Sequence, residues 1–285
     1  MSRHVRTFVS VLAGAAALAG VLLAVRGAAT QPNASAAPTA QGAPPAPRSN
    51  PKPSAALSPA EQLRIRVASS STEAASLLDA ASPPWTATTP TPILLTRAPR
   101  IYPNEPKLDA TPPSCEVRAL RAGGRLIVSL RWNDATQDVP AAPAAKTGES
   151  GGEPARLYHR PTDHPSSFPD AAAVMIPDAW SGPSFPSLMM GDANRSSTLY
   201  YWNGSRGGAV LSATGRTTVH PLPGARLAHR AAYDDGHWTV TMSLPDQPDG
   251  YPLAFAVWDG SQGNRDGLKF FSLWYVLTAT SGAKG

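Results

Sequence analysis

The sequence predicts an all-β fold, an antiparallel β-sandwich with long loops and few short helices. Thirty-one prolines and 23 glycines among 285 residues are too many helix breakers for a helical chain and suit frequent turns. Short runs of alternating apolar and polar residues recur, separated by glycine turns. No long segment carries the spacing of an amphipathic helix, and no internal repeat is visible.

The amino terminus reads as an export leader over residues 1–36. Arg3 and Arg6 form a charged start, "FVSVLAGAAALAGVLLAV" is an uninterrupted apolar segment, and Ala34-Ser35-Ala36 suits a cleavage site. The apolar run approaches spanning length, so an uncleaved membrane anchor is the alternative. Both readings place the rest of the chain outside the cytoplasm, in the periplasm, and the absence of an Arg-Arg pair argues against the twin-arginine route. Residues 37–57 are rich in Pro and Ala and cannot bury enough apolar area to fold, which predicts a flexible, partly polyproline-like tether. The folded domain is expected over 58–285.

Within that domain "QLRIRVASS" places Leu63, Ile65 and Val67 on one face of a short strand. "TEAASLLDAASPPW" holds one helical turn, ended by Pro83-Pro84. The proline-dense stretch 90–114 reads as ordered coil or edge strand. "CEVRALRAGGRLIVSLRWND" is a hairpin turning at Gly123-Gly124, with Leu126, Val128, Leu130 and Trp132 on one face. Residues 139–156 form a surface loop. Short strands follow at "AAAVMIP" and "STLYYWNGS", and a second hairpin turns at Asp234-Asp235-Gly236 with Trp238, Val240, Met242 and Leu244 aligned. "YPLAFAVWDG" adds a strand with Leu253, Phe255 and Val257 inward. The last apolar run, led by Lys269, would put Lys269, Phe271, Leu273, Tyr275 and Leu277 on one face of a single closing strand.

Composition narrows function. The formal charge of +5 includes Arg3, Arg6 and Arg26 of the leader; without those three, 22 of the 25 basic residues face 20 acidic ones. No Lys/Arg cluster remains to follow a phosphate backbone. A lone cysteine, Cys115, excludes an internal disulfide, a cysteine-based zinc or iron–sulfur site and covalent c-type haem attachment. The histidines, at 4, 159, 164, 220, 229 and 237, lack metal-ligand spacing and read as surface or hairpin residues. No Gly-x-Ser-x-Gly motif marks a serine nucleophile. Asp259 and Asp266 lie among glycines but do not form an EF-hand pattern.

Two features stand out. The loop "SGPSFPSLMMGDA" is irregular yet carries Phe185, Leu188, Met189 and Met190, so it must pack onto something. Adjacent methionines fill cores, but a thioether is also a soft, neutral ligand suited to haem iron. Lys269, at the head of an apolar run, either extends to solvent or is desolvated there; only the second state yields the neutral amine that can coordinate a metal.

The stretches "IYPNEPKLDATPP", "LIVSLRWNDATQD", "FPDAAAVMIP", "PSLMMGDANRSSTLYYWNG" and "FAVWDGSQGNRDGLKFFSLWYVL" occur in the order found in a known family. Over about residues 63–278 the chain resembles the haem b-binding γ subunits of molybdenum enzymes of the dimethyl sulfoxide reductase group, such as those of ethylbenzene dehydrogenase, dimethylsulfide dehydrogenase, selenate reductase and chlorate reductase. The resemblance implies a β-sandwich holding one non-covalent b-type haem, with axial ligands from a Met-Gly loop and from a lysine before the final strand. Those positions are Met190, which precedes Gly191, and Lys269, with Met189 replacing Met190 if the loop register differs by one. Beside that implication, Phe185, Phe271, Trp274 and Tyr275 are candidate apolar walls for such a haem. Arg265, in the loop before Lys269, is a candidate partner for a propionate, with a solvated loop arginine as the alternative. The resemblance also implies electron transfer between an iron–sulfur β subunit and a soluble cytochrome or similar carrier, beside a molybdenum-containing α subunit. The tether, the 139–156 insertion and "AVMIP", where the family pattern has glutamine, depart from the pattern. The competing reading is a haem-free exported carbohydrate- or ligand-binding module, with Trp180, Trp202, Trp258 and Trp274 as a sugar-stacking face.

Overall fold

A computed structural model describes residues 63–99, 110–140, 168–181 and 184–280. The leader, the tether, residues 58–62, most of "IYPNEPKLDATPP", most of the 139–156 loop, His4, His159 and His164 lie outside the described residues.

Fourteen strands account for the described fold. The first five are β1 (Arg64–Ser69), β2 (Thr91–Ile93), β3 (Leu95–Arg97), β4 (Cys115–Ala122) and β5 (Arg125–Asn133). Then come β6 (Ala171–Pro177), β7 (Ser197–Asn203), β8 (Gly207–Ala213), β9 (His220–Pro221) and β10 (Ala228–Asp234). The last four are β11 (His237–Pro245), β12 (Pro252–Trp258), β13 (Phe270–Ser272) and β14 (Tyr275–Ala279). One layer runs β10-β11-β5-β4-β1-β14 and the other β12-β6-β7-β8-β9, with β13 and β3 on the far edge of β12. The layers join at β12, which pairs with β14 at Pro252 and Leu253 and with β6 from Ala254 to Trp258.

Both predicted hairpins form. Gly123 and Gly124, at φ 55 and 69, make the two-residue turn between β4 and β5, and Asp235-Gly236, at φ 46 and 69, turns β10 into β11. Alternation then fills the space between the layers. Leu126, Val128, Leu130 and Trp132 of β5 and Trp238, Val240, Met242 and Leu244 of β11 meet Val174, Trp202, Leu253, Phe255 and Val257 of the opposite layer. Trp238 stacks on Trp132 at 6.3 Å and meets Trp202 edge-on at 4.9 Å, bridging the layers.

Three expectations need correction. The sandwich is not purely antiparallel: β1 lies parallel to both of its neighbours, β14 and β4. It enters as an isolated strand, with the coil, β2 and β3 returning the chain to β4, so no hairpin imposes an antiparallel pairing. Pro83-Pro84 does not end a helical turn; it opens a second 3₁₀ turn, Pro83–Trp85, after the first at Ser76–Leu78. Trp85 and Leu77 from these turns cover Leu120, Ala122 and Ile127 on the outer face of the first hairpin.

The closing run is also not one strand. Leu253 pairs with Tyr275 and Ala256 with Phe271, so three steps along β12 face four along its partner. This one-residue bulge at Leu273-Trp274 reverses the parity of the faces. Phe270, Tyr275 and Leu277 therefore all enter the main core, while Leu273 is exposed. Ser272, fully buried, accepts the Phe255 N–H at 2.9 Å and donates to the Leu273 carbonyl, satisfying the backbone where the ladder breaks.

Cys115 begins β4 in the core, and burial together with the neighbouring Glu116 charge pushes its thiol up to about 12. Thiol reagents at pH 8 are expected to leave it unmodified in the folded protein and to label it fully after unfolding, as read by mass spectrometry.

Candidate functional site

The outer face of the second layer is floored with small side chains. The alternation that sends Ala172, Val174, Phe255 and Val257 inward turns Ala171, Ala173, Ala254 and Ala256 outward, with Met175, Leu199 and Trp258 beside them. Two loops close over this floor. Between them lie two adjoining cavities of about 260 and 320 Å³, open to solvent, that share Leu188, Met190, Lys269 and Phe271 as walls.

The first loop delivers Met190. The Gly191 N–H donates to the Ser187 carbonyl at 2.9 Å, and the Gly215 N–H donates to the Met190 carbonyl at 2.9 Å, fixing the loop from both sides. Met190 and Gly191 take consecutive left-handed conformations, φ 70 and 85. For a methionine this conformation is strained and persists only where surrounding contacts impose it. Beyond it, Asp192 and Arg195 exchange backbone hydrogen bonds and form a 2.9 Å ion pair. The Trp274 indole N–H donates to the Pro186 carbonyl at 3.1 Å, tying this loop to the bulge in the closing run. Met189 lines only the smaller cavity, whereas Met190 lines both.

The second loop delivers Lys269. Arg265 and Leu268 pair across a tight Asp266-Gly267 turn, and the Trp258 indole N–H holds the Asp266 carbonyl at 3.1 Å. The Lys269 carbonyl accepts the Ala98 N–H at 2.9 Å, and its amine lies 5.2 Å from the Trp258 ring centre. Burial, reinforced by the nearby Arg216 cation and opposed by Asp266, lowers the Lys269 amine from the usual 10.5 to about 8. Its proton is held weakly, which readies the nitrogen lone pair. A neutral thioether and this amine thus share the walls of both apolar cavities.

The predicted site residues thus separate. Met190, Lys269, Phe271 and, in the smaller cavity, Met189 come together. Phe185 does not line the cavities; it stands 39% exposed, stacked between Trp180 at 5.8 Å and Trp274 at 6.1 Å. Arg265 also lies apart, its guanidinium 4.6 Å from the Phe168 ring centre and bonded to the Gly263 carbonyl. Tyr275 is turned into the main core by the bulge. Arg216 lines the smaller cavity instead, packed so closely on Gly267 that a Cβ there would sit 1.8 Å from its guanidinium. It comes from the connection between β8 and β9, and no sequence motif marks it. The four tryptophans of the sugar-stacking reading do not share an exposed face: Trp202 is in the main core, and Trp258 and Trp274 are buried.

No protein-family model matches the chain. It is 28% identical over 212 residues to a protein of Haloferax mediterranei described as a respiratory nitrate reductase heme subunit, covering 70% of this chain and 68% of that one. It is 29% identical over 172 residues to the chlorate reductase γ subunit of Ideonella dechloratans, and 31% identical over 182 residues to the dimethylsulfide dehydrogenase γ subunit of Rhodovulum sulfidophilum. The chain is thus similar to the haem and γ subunits of three such reductases and dehydrogenases. The match spans 62% of the chlorate reductase γ subunit and 58% of the dimethylsulfide dehydrogenase γ subunit, and 56% of this chain in both. Solved structures of a family 9 carbohydrate-binding module from Caldicellulosiruptor kristjanssonii, with glucose and with cellotriose, superpose at TM-scores of 0.38 and 0.39 and 13% and 11% identity. These cover 78% of this chain and 98% and 97% of theirs.

The Met190-Gly191 pair is directly testable. A Cβ on Gly191 would lie 2.6 Å from the Arg195 carbonyl and 3.1 Å from that of Ala213, at a φ of 85. Gly191→Ala should therefore lower stability by about 1–3 kcal/mol or more, measured by urea denaturation.

Proposed function

We propose that this chain is the electron-transfer subunit of an exported molybdenum oxidoreductase, binding one b-type haem without covalent attachment. Its neighbours in this reading are an iron–sulfur β subunit and an α subunit carrying the molybdenum cofactor, with a soluble periplasmic cytochrome or similar carrier as the external partner. The observation that carries the proposal is the convergence of Met190 and Lys269 on one alanine-floored apolar cavity.

The residues suit that group. Met190 and Lys269 would hold the iron, one through a thioether and one through an amine, neither adding negative charge. Held by these two donors, the group would supply a one-electron couple, which favours electron relay over substrate chemistry. The chain's own groups do the rest. Ala173, Ala254 and Ala256 leave space for a flat ring, while Phe271 and Trp258 exclude water beside it. Burial and the Arg216 cation lower the Lys269 amine to about 8, which favours the neutral form that ligation needs. Arg216 supplies positive charge at the wall for a propionate, in the role expected of Arg265.

An absorption spectrum tests this directly. The protein reconstituted with haem should show a Soret band and low-spin reduced bands, with a pyridine haemochrome of the b type. Lys269→Ala and Met190→Ala should each convert the haem to high-spin or lose it, whereas Met189→Ala retains the low-spin spectrum. A reconstituted protein with no Soret band would sink the proposal. Loss of the low-spin bands in Met189→Ala alone would move the ligand by one residue.

A further inference from the structure

Away from this cavity, a second group of side chains has no role in haem binding. Asp134 and Asp138 follow β5, Asp170 precedes β6 and Asp259 follows β12, and each places a carboxylate oxygen within 4.8 Å of the others. Like charges converge at this distance only where something neutralises them.

Two of the four are deeply buried: Asp170 is 0% and Asp134 3% exposed. Asp170 is anchored. Its Oδ1 accepts the Gly260 N–H at 2.8 Å, and its Oδ2 accepts the Asp138 N–H at 2.6 Å and the Trp238 indole N–H at 2.9 Å. Asp134 is not so well served. One oxygen accepts the Thr136 N–H at 3.2 Å and the Trp132 indole also favours the charged carboxylate, but neither the buried Oδ2 nor the indole N–H makes a hydrogen bond of good geometry. Burial is the largest influence on both carboxyls, raising Asp134 to about 7 and Asp170 to about 6, and the charges that raise Asp134 further are those of Asp170 and Asp259.

The surrounding backbone is built to bring these segments together. Gly260 is pressed so tightly that a Cβ would lie 2.1 Å from the Phe168 carbonyl and 2.8 Å from the Asp138 side chain. Asp138 and Asp170 are also tied through the backbone, the Asp170 N–H donating to the Asp138 carbonyl at 2.9 Å. A buried carboxylate oxygen with no hydrogen bond of good geometry, facing three other carboxylates, is a set of hard donors suited to a cation.

We propose that Asp134, Asp138, Asp170 and Asp259 bind a divalent cation, matched to calcium. All the donors are hard oxygens, and the four include no imidazole or thiolate to favour zinc or copper. Asp134, Asp138 and Asp170 come from the connection between β5 and β6 and Asp259 from that between β12 and β13. Four carboxylates suit the many oxygen ligands and flexible geometry of calcium better than the near-ideal octahedron magnesium demands. The ion would clamp the start of the 259–269 loop to the ends of β5 and β6. It would thereby act on the segment that carries Lys269 without touching the haem cavity.

The test uses the purified chain without haem, so its failure leaves the haem proposal standing. After treatment with EGTA, titration with calcium chloride should give one bound ion per chain and a melting temperature that rises with calcium, magnesium giving a smaller rise. Asp259→Asn and Asp138→Asn, at the half-buried rim, should fold with unchanged circular dichroism and bind calcium about tenfold or more weakly. A melt insensitive to both calcium and EGTA, with no bound ion, overturns the proposal and leaves shared protons to neutralise the cluster. Wild-type calcium affinity in both variants overturns it equally.

Discussion

Strand β12 hydrogen-bonds to β14 at its first two residues and to β6 along the rest, and this switch of partner brings the two layers into one sandwich. The same strand presents Leu253, Phe255 and Val257 to the shared core and Ala254, Ala256 and Trp258 to the outer cavity. Core packing and site geometry are therefore not separable here. A shift of β12 by one residue would exchange its large and small faces, filling the cavity and hollowing the core together. The bulge at Leu273-Trp274 solves the matching problem on its partner. It lets Tyr275 and Leu277 serve the core while Phe271 and Lys269, four and six residues before Tyr275, face the site.

Much of the fold was legible because it rests on local rules. Gly123-Gly124 and Asp235-Gly236 announce their turns, and the β5 and β11 alternations announce their faces. What stayed hidden depends on pairings distant in sequence. Nothing in "KFFSLWYVL" marks Leu273-Trp274 as a bulge, because the extra residue is defined only against β12. The parallel setting of β1 was equally invisible, since Ile65 and Val67 alternate identically in either direction.

The site was legible in part for the same reason. Met190 and Lys269 could be singled out because each breaks a local expectation, an apolar pair on an irregular loop and an amine leading an apolar run. Phe185 and Arg265 lie close to these two in sequence, but nearness in sequence does not carry a side chain to the same cavity where a loop turns back. Arg216 reaches the cavity from the β8–β9 connection, and Asp134, Asp138 and Asp170 of the β5–β6 connection meet Asp259, which is distant in sequence. The alanines were present as a pattern in "AAAVMIP" and "PLAFAVW", but alternation alone does not say that their face lies beneath two loops.

The parallel strand β1 has a consequence for how the domain assembles. Arg64 to Val67 pair with Val276 to Ala279, so the first and last described strands are neighbours in one sheet. Such a contact closes nearly the whole domain as a single loop, and contacts of this separation form late and slowly. The first layer stays open between β4 and β14 until the last residues of β14 are available. A chain emerging amino end first therefore cannot complete this sheet until its final strand has emerged.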